Sequence, residues 1–261
     1  MGERAAALGR GANLWGLVWT LVRTDFKVRY HGTFGGYLWA LAKPLSMFVV
    51  LLAVFSLIFS MDPDYPLNLI IGLYLWDFFA EGTKSGLAAI HAKGYLVTRS
   101  RFPSWVVILT SCSNALITVV LFSAVVWIYV AIFRHPLGLL HLALLAGYVL
   151  LFALIVIGFA LAASPLFLRF RDLNQVWDLV LQAGFFIAPV IYPLDIIPER
   201  YHFYLYVWLP TPVIQYTRSI LVHGQVPSLR AHALLVAAAV IVLGAGAVVY
   251  RRFVQRAIEE I

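Results

Sequence analysis

The chain has 261 residues, of which 62% are hydrophobic and 12% charged, with a formal net charge of +7. Its charged fraction is about half that of an ordinary soluble domain, so the apolar excess must face lipid, and one integral membrane domain uses it all. The lone Cys112 excludes an internal disulfide, and the first 36 residues hold no h-region with a small-residue cleavage site, so no removable signal peptide is expected.

Residues 13–26, NLWGLVWTLVRTDF, set Trp15, Val18, Trp19, Val22 and Phe26 on one helical face and Asn13, Thr20, Thr24 and Lys27 opposite. That division predicts a helix lying in the membrane surface, and the two tryptophans favour the interface over a soluble protein partner. Arg23, Lys27 and Arg29 then sit beside the headgroups of the anionic cytoplasmic leaflet. Gly32, Gly35 and Gly36 are expected to break this helix before the first crossing.

From Pro44 to Met61 there are 18 residues without an ionisable side chain, the length at which a transmembrane helix is the default. Tyr37, Phe48, Phe55 and Phe59 are spaced 11, 7 and 4 residues apart, which places them on one narrow stripe. The stripe either meets lipid or a neighbouring helix, or forms a lane of ring faces on which a carbohydrate could slide.

After the short acidic turn MDPDYP, a second span is expected from Leu67 to about Gly82. Asp77, Glu81 and Lys84 share one of its faces, which must avoid lipid and is either a satisfied inward stripe or a substrate contact. Residues 88–103 carry Lys93, Arg99 and Arg101 and read as a cytoplasmic loop long enough for a short helix. Spans three and four are expected at 105–133 and about 139–166, and the fifth at about 173–188. Asp172, Gln175, Asp178 and Gln182 keep one side of the fifth polar, as a helix packed on protein requires.

Between Pro189 and Pro227 six prolines bound short apolar pieces, too short to span, that read as re-entrant or interfacial helices. A sixth span at about 231–249 ends in YRRFVQRAIEEI. With six spans and the N-terminus inside, 15 of the 19 Lys and Arg residues fall on the cytoplasmic side, leaving Arg134, Arg200, Arg218 and Arg230 outside. This asymmetry places both termini in the cytoplasm, and it explains the basic charge without nucleic acid. The fold class is therefore all-α integral membrane: an amphipathic N-terminal region (1–36), a six-helix domain (37–250) with extracytoplasmic re-entrant helices, and a cytoplasmic tail (251–261). No phosphate-binding loop and no nucleophile elbow occurs, and the seven histidines form no metal-ligand spacing, so neither a nucleotide, a metal nor a catalytic site is expected in this chain.

Four strings, FKVRYHGTFGGYLWALAKPL, YLWDFFAEG, LVTRSRFP and FRDLNQVWDLVLQAGFFIAPVIYPLDIIP, resemble the permease subunits of type-2 ABC exporters. They are most similar to the polysaccharide and polyol-phosphate class, which includes the O-antigen, galactan and teichoic acid permeases, and the likeness covers nearly the whole chain. It implies a bacterial cytoplasmic-membrane homodimer, docked to two separate ATPase subunits that bind ATP and Mg, exporting a lipid-linked polysaccharide. It further implies a coupling helix around His91, Lys93, Tyr95, Leu96, Arg99, Arg101 and Phe102 that fits a cleft on the ATPase. By the same likeness the first and fifth spans line the channel, making Tyr37, Phe48, Phe55 and Phe59, with Phe185 and Phe186, the candidate lining. Asp77 stands where an uncharged polar residue is expected in many relatives. The rivals are an exporter of drugs or small lipids, a membrane-embedded transferase or hydrolase of lipid intermediates, and a non-transporting anchor.

Overall fold

The computed structural model describes residues 14–30, 38–58, 62–96, 103–134 and 138–259, and no strand occurs among them. The helices are α1 (Leu14–Tyr30), α2 (Leu38–Phe55), α3 (Tyr65–Ala92), α4 (Ser104–Phe133), α5 (Leu139–Arg169) and α6 (Leu173–Ile187). Two short 3-10 helices, Leu194–Ile196 and Glu199–Tyr201, lead to α7 (His202–Val207), α8 (Pro210–Leu221) and α9 (Leu229–Glu259).

α3 is the hub, in contact with α2, α4, α5, α6 and α8. Leu69, Ile71, Leu75, Leu87 and Ile90 along it are fully buried, which explains how a helix carrying Asp77, Glu81 and Lys84 sits inside an apolar bundle: its apolar sides are spent on protein rather than lipid. The expected span ending near Gly82 is too short. The helix runs on to Ala92, because the segment TKSGLAAIHA contains no proline and buries Thr83, Leu87, Ala89 and Ile90. Thr83 is satisfied there, since its hydroxyl donates to the Phe79 carbonyl at 2.7 Å.

Small residues let the helices approach closely. A methyl group added to Gly86 would lie 2.4 Å from Cβ of Ala160 on α5, and one added to Gly82 would lie 2.8 Å from Cγ1 of Val156. The α5–α9 contact is tighter still: a methyl on Gly246 would meet the Gly158 carbonyl oxygen at 2.0 Å. In lipid, where apolar side chains gain little by leaving acyl chains for one another, such close backbone packing helps hold helices together.

Among the described residues three helices are long and apolar enough to cross a membrane: Ser104–Phe133, Leu139–Arg169 and Leu229–Gln255. α9 as a whole has 31 residues, about 46 Å at 1.5 Å per residue against a hydrocarbon core of ~30 Å. The expected tail beyond Val249 is continuous with this helix to Glu259 and is anchored where the Tyr250 and Ser104 hydroxyls meet at 2.6 Å. α6 has 15 residues, about 22 Å, and falls short of the core thickness by itself. The proline-rich stretch after it folds into four short helical pieces, of which α8 is mostly buried and α7 exposes Phe203 and Tyr204.

Candidate functional site

A groove of about 690 Å³ opens between α2, α3 and α6. Its wall is aromatic: the Trp76 ring lies edge-on to Phe185 with centroids 5.7 Å apart, and Phe185 meets Phe186 at 5.4 Å. Trp76 is buried and rests on Trp208 and Phe79, whereas Phe186 is 68% exposed, so the rings grade from a fixed base to an open face. Gly184 makes the base possible, since a methyl there would lie 2.5 Å from Trp208. Beside the rings stand Ser46, Lys43, Asp77 and Gln182. The arrangement offers apolar ring faces with a few hydrogen-bonding groups at their margin, the chemistry that suits the C–H faces and hydroxyls of a sugar.

The charged groups are paired between helices. Lys43 Nζ of α2 lies 3.6 Å from Asp77 of α3, and Lys84 Nζ of α3 lies 2.7 Å from Asp178 of α6. The acid on the fifth apolar segment and the cation on the second thus answer each other, but the rest of the polar face expected to pack on protein does not: Asp172, Gln175 and Gln182 are exposed and only Asp178 is half-buried, because Lys84 is the group that reaches it from α3. Also from α6, Trp177 donates its indole N–H to Thr83 at 3.0 Å.

Of the expected aromatic stripe, Phe48 and Phe55 are half-buried and pack against the chain's own core, while Met47 and Val50 on the other side of α2 line the groove. Tyr37 and Phe59 lie outside the described residues, as do Arg99, Arg101, Phe102 and the three glycines of the expected break. Within the expected coupling segment, His91 and Tyr95 are exposed and Leu96 is half-buried. Lys93 forms an ion pair with Asp25 of α1. On α1, Trp19, Arg23 and Lys27 are exposed, Val18 and Val22 are half-buried against α4, and the side chains of Trp15, Phe26 and Arg29 fall outside the description. Arg134 at the end of α4 pairs with Asp64 before α3 at 2.7 Å, joining two turns at the opposite end.

Sequence reasoning missed Trp76, Lys43 and Ser46 as groove residues, and Asp25 as a partner. It counted Arg218 only as a loop cation, yet that side chain is buried in α8. Its guanidinium donates to the carbonyls of Asn68 (2.7 Å and 3.0 Å), Pro189 (2.6 Å) and Val190 (2.8 Å). A charged residue between Pro-bounded apolar pieces was the available signal, since a buried arginine needs acceptors for its planar fork.

A family model described as ABC-2 type transporter matches residues 16–222. Among curated proteins, the chain is 29% identical over 194 residues to the O-antigen export system permease protein RfbA of Klebsiella pneumoniae, covering 72% of this chain and 73% of that one. It is 28% identical over 190 residues to the protein of the same name from Myxococcus xanthus, covering 71% of each. The polysialic acid transport protein KpsM of Escherichia coli is 26% identical over 199 residues, with 73% of this chain and 75% of that one covered.

Proposed function

The chain belongs to the ABC-2 type transporter family, and from that membership we propose that it is the permease of an exporter moving a polyprenyl-diphosphate-linked polysaccharide of O-antigen type out across the bacterial cytoplasmic membrane. It is a transport subunit and not an enzyme, like the permeases it resembles. The observation that carries the substrate class is the groove wall of Trp76, Phe185 and Phe186. Stacking on ring faces is individually weak and replaceable, so a polymer can advance one residue at a time, whereas a fixed ion pair to the cargo would stall it.

In the working assembly two copies of the chain face each other across this groove, each crossing the membrane six times with both ends in the cytoplasm. α7 and α8 lie as re-entrant helices at the outer side. Two partner ATPases bind ATP and Mg and press on the segment from His91 to Phe102, and nucleotide-driven closure pivots the two permeases as rigid bodies. Lys43–Asp77 and Lys84–Asp178 keep α2 and α6 attached to α3 as it moves, so that the wall travels with the hub.

The test is export of a lipid-linked glycan by membrane vesicles energised with ATP. Phe186→Ala, which removes an exposed ring and little packing, combined with Phe185→Ala, is expected to lower export several-fold while the ATPase still co-purifies. Undiminished export by that variant removes the groove wall from the pathway. Stimulation of the ATPase by drugs or small lipids, with none by the glycan, moves the cargo to the rival class.

A further inference from the structure

Beneath α1 lies a second cavity, of about 280 Å³, on the far side of α3 from the groove. α1 roofs it with Val18, Trp19 and Val22, and α4 and α5 wall it. On its walls the donors of Ser113 and Cys112 are already committed: the Ser113 hydroxyl donates to the Thr110 carbonyl at 2.6 Å, and the Cys112 thiol donates to the Gly82 carbonyl at 3.5 Å. Water inside would find little beyond the Ser113 lone pairs, fewer than the two to four partners an ordered water needs, so the cavity suits hydrocarbon better than water.

The depth of the cavity narrows the choice of hydrocarbon. Along α4 the lining runs from Leu109 to Ile117, about 12 Å of helix rise and less than half of the ~30 Å core. That is the reach of a chain in one leaflet. The rim adds a charge preference. Arg23 and Lys27, one and two turns beyond Trp19, are exposed, while Asp25 between them is engaged by Lys93. The edge of α1 therefore offers two cations to whatever headgroup lies above the cavity.

We propose that this cavity holds one acyl chain of an anionic phospholipid, with its phosphate against Arg23 and Lys27. The lipid completes the packing of α1 on the bundle, which without it rests on Val18 and Val22 and on the Asp25–Lys93 pair. The site goes beyond the export reading and does not depend on it.

The full-length chain, reconstituted in nanodiscs of mixed phosphatidylglycerol and phosphatidylcholine, is released into mild detergent and its retained lipids are counted by native mass spectrometry. One phosphatidylglycerol per chain is expected to survive. Val22→Trp, which fills the cavity, should abolish its retention at an unchanged elution volume. Arg23→Gln with Lys27→Gln, which alters exposed side chains only, should lower the preference for phosphatidylglycerol roughly thirtyfold, about fivefold for each basic group at the surface. The double variant carries the test if Val22→Trp fails to fold. Equal retention of both lipids by the unaltered chain, an unchanged preference in the double variant, or retention of a polyprenyl phosphate alone overturns the proposal.

Discussion

Arg218 ties three parts of the chain through carbonyls: Asn68 near the start of α3, and Pro189 and Val190 just past α6. The two carbonyls past α6 lie outside any helix and are out of reach of bulk water, so the guanidinium satisfies groups that would otherwise be buried without partners. Gly72 leaves the room, since a methyl there would stand 2.7 Å from the guanidinium and 2.9 Å from the Val190 oxygen. Arg218→Met should lower stability by about 3 kcal/mol, at about 1–3 kcal/mol for each orphaned buried acceptor. Arg218→Lys should recover only part, because one ammonium cannot span the three oxygens that the planar fork reaches. Thermal unfolding in detergent reads both; a methionine variant as stable as the parent would remove the clamp from the account. The sequence counted this cation by its side of the membrane and could not show its burial, because neither composition nor periodicity reports which distant carbonyls lack donors.

At the scale of elements, the glycines on α9 make a paired prediction. Gly246→Ala places a methyl 2.0 Å from the Gly158 oxygen, whereas nothing lies within 4 Å of a methyl on Gly244, two residues earlier and so on the opposite side of the helix. Gly246→Ala should therefore cost about 1–3 kcal/mol as α5 and α9 are forced apart. Gly244→Ala should be neutral or stabilise by up to about 1 kcal/mol, the difference in helix propensity between alanine and glycine. Comparing the two melting temperatures checks the pair, and equal effects would show that the α5–α9 crossing is not set by Gly246. The existence of α4, α5 and α9, and the approximate limits of α4 and α5, were legible in long uncharged runs. The ends of α3 and α9 were not, because charge was read as the end of each helix. Lys84 and Asp178 instead pair between α3 and α6, and Arg251 and Arg252 continue the helix of α9.

For the whole molecule, the Asp25–Lys93 pair joins α1 to the end of α3, beside the segment on which a partner ATPase is proposed to press. A push there should reach α1 and the hub together. Asp25→Asn or Lys93→Gln should lower the ratio of glycan exported to ATP hydrolysed, and the exchanged pair, Asp25→Lys with Lys93→Asp, should restore it. A ratio unmoved in both single variants would confine the pair to surface stability, as for many exposed ion pairs.

The linear order of residues determined the membrane setting, the helical class and the family resemblance, because each depends on a property summed or repeated along the chain: hydropathy over a span, spacing within a helix, motifs in a fixed order. Only the tertiary structure decided which face of α2 meets protein, which rings form the groove, which cation answers Asp77 and which carbonyls hold Arg218. Those are contacts between groups as far as 150 residues apart, fixed by how closely the helices cross, and a packing distance set by glycines on two different helices leaves no periodic trace in either one.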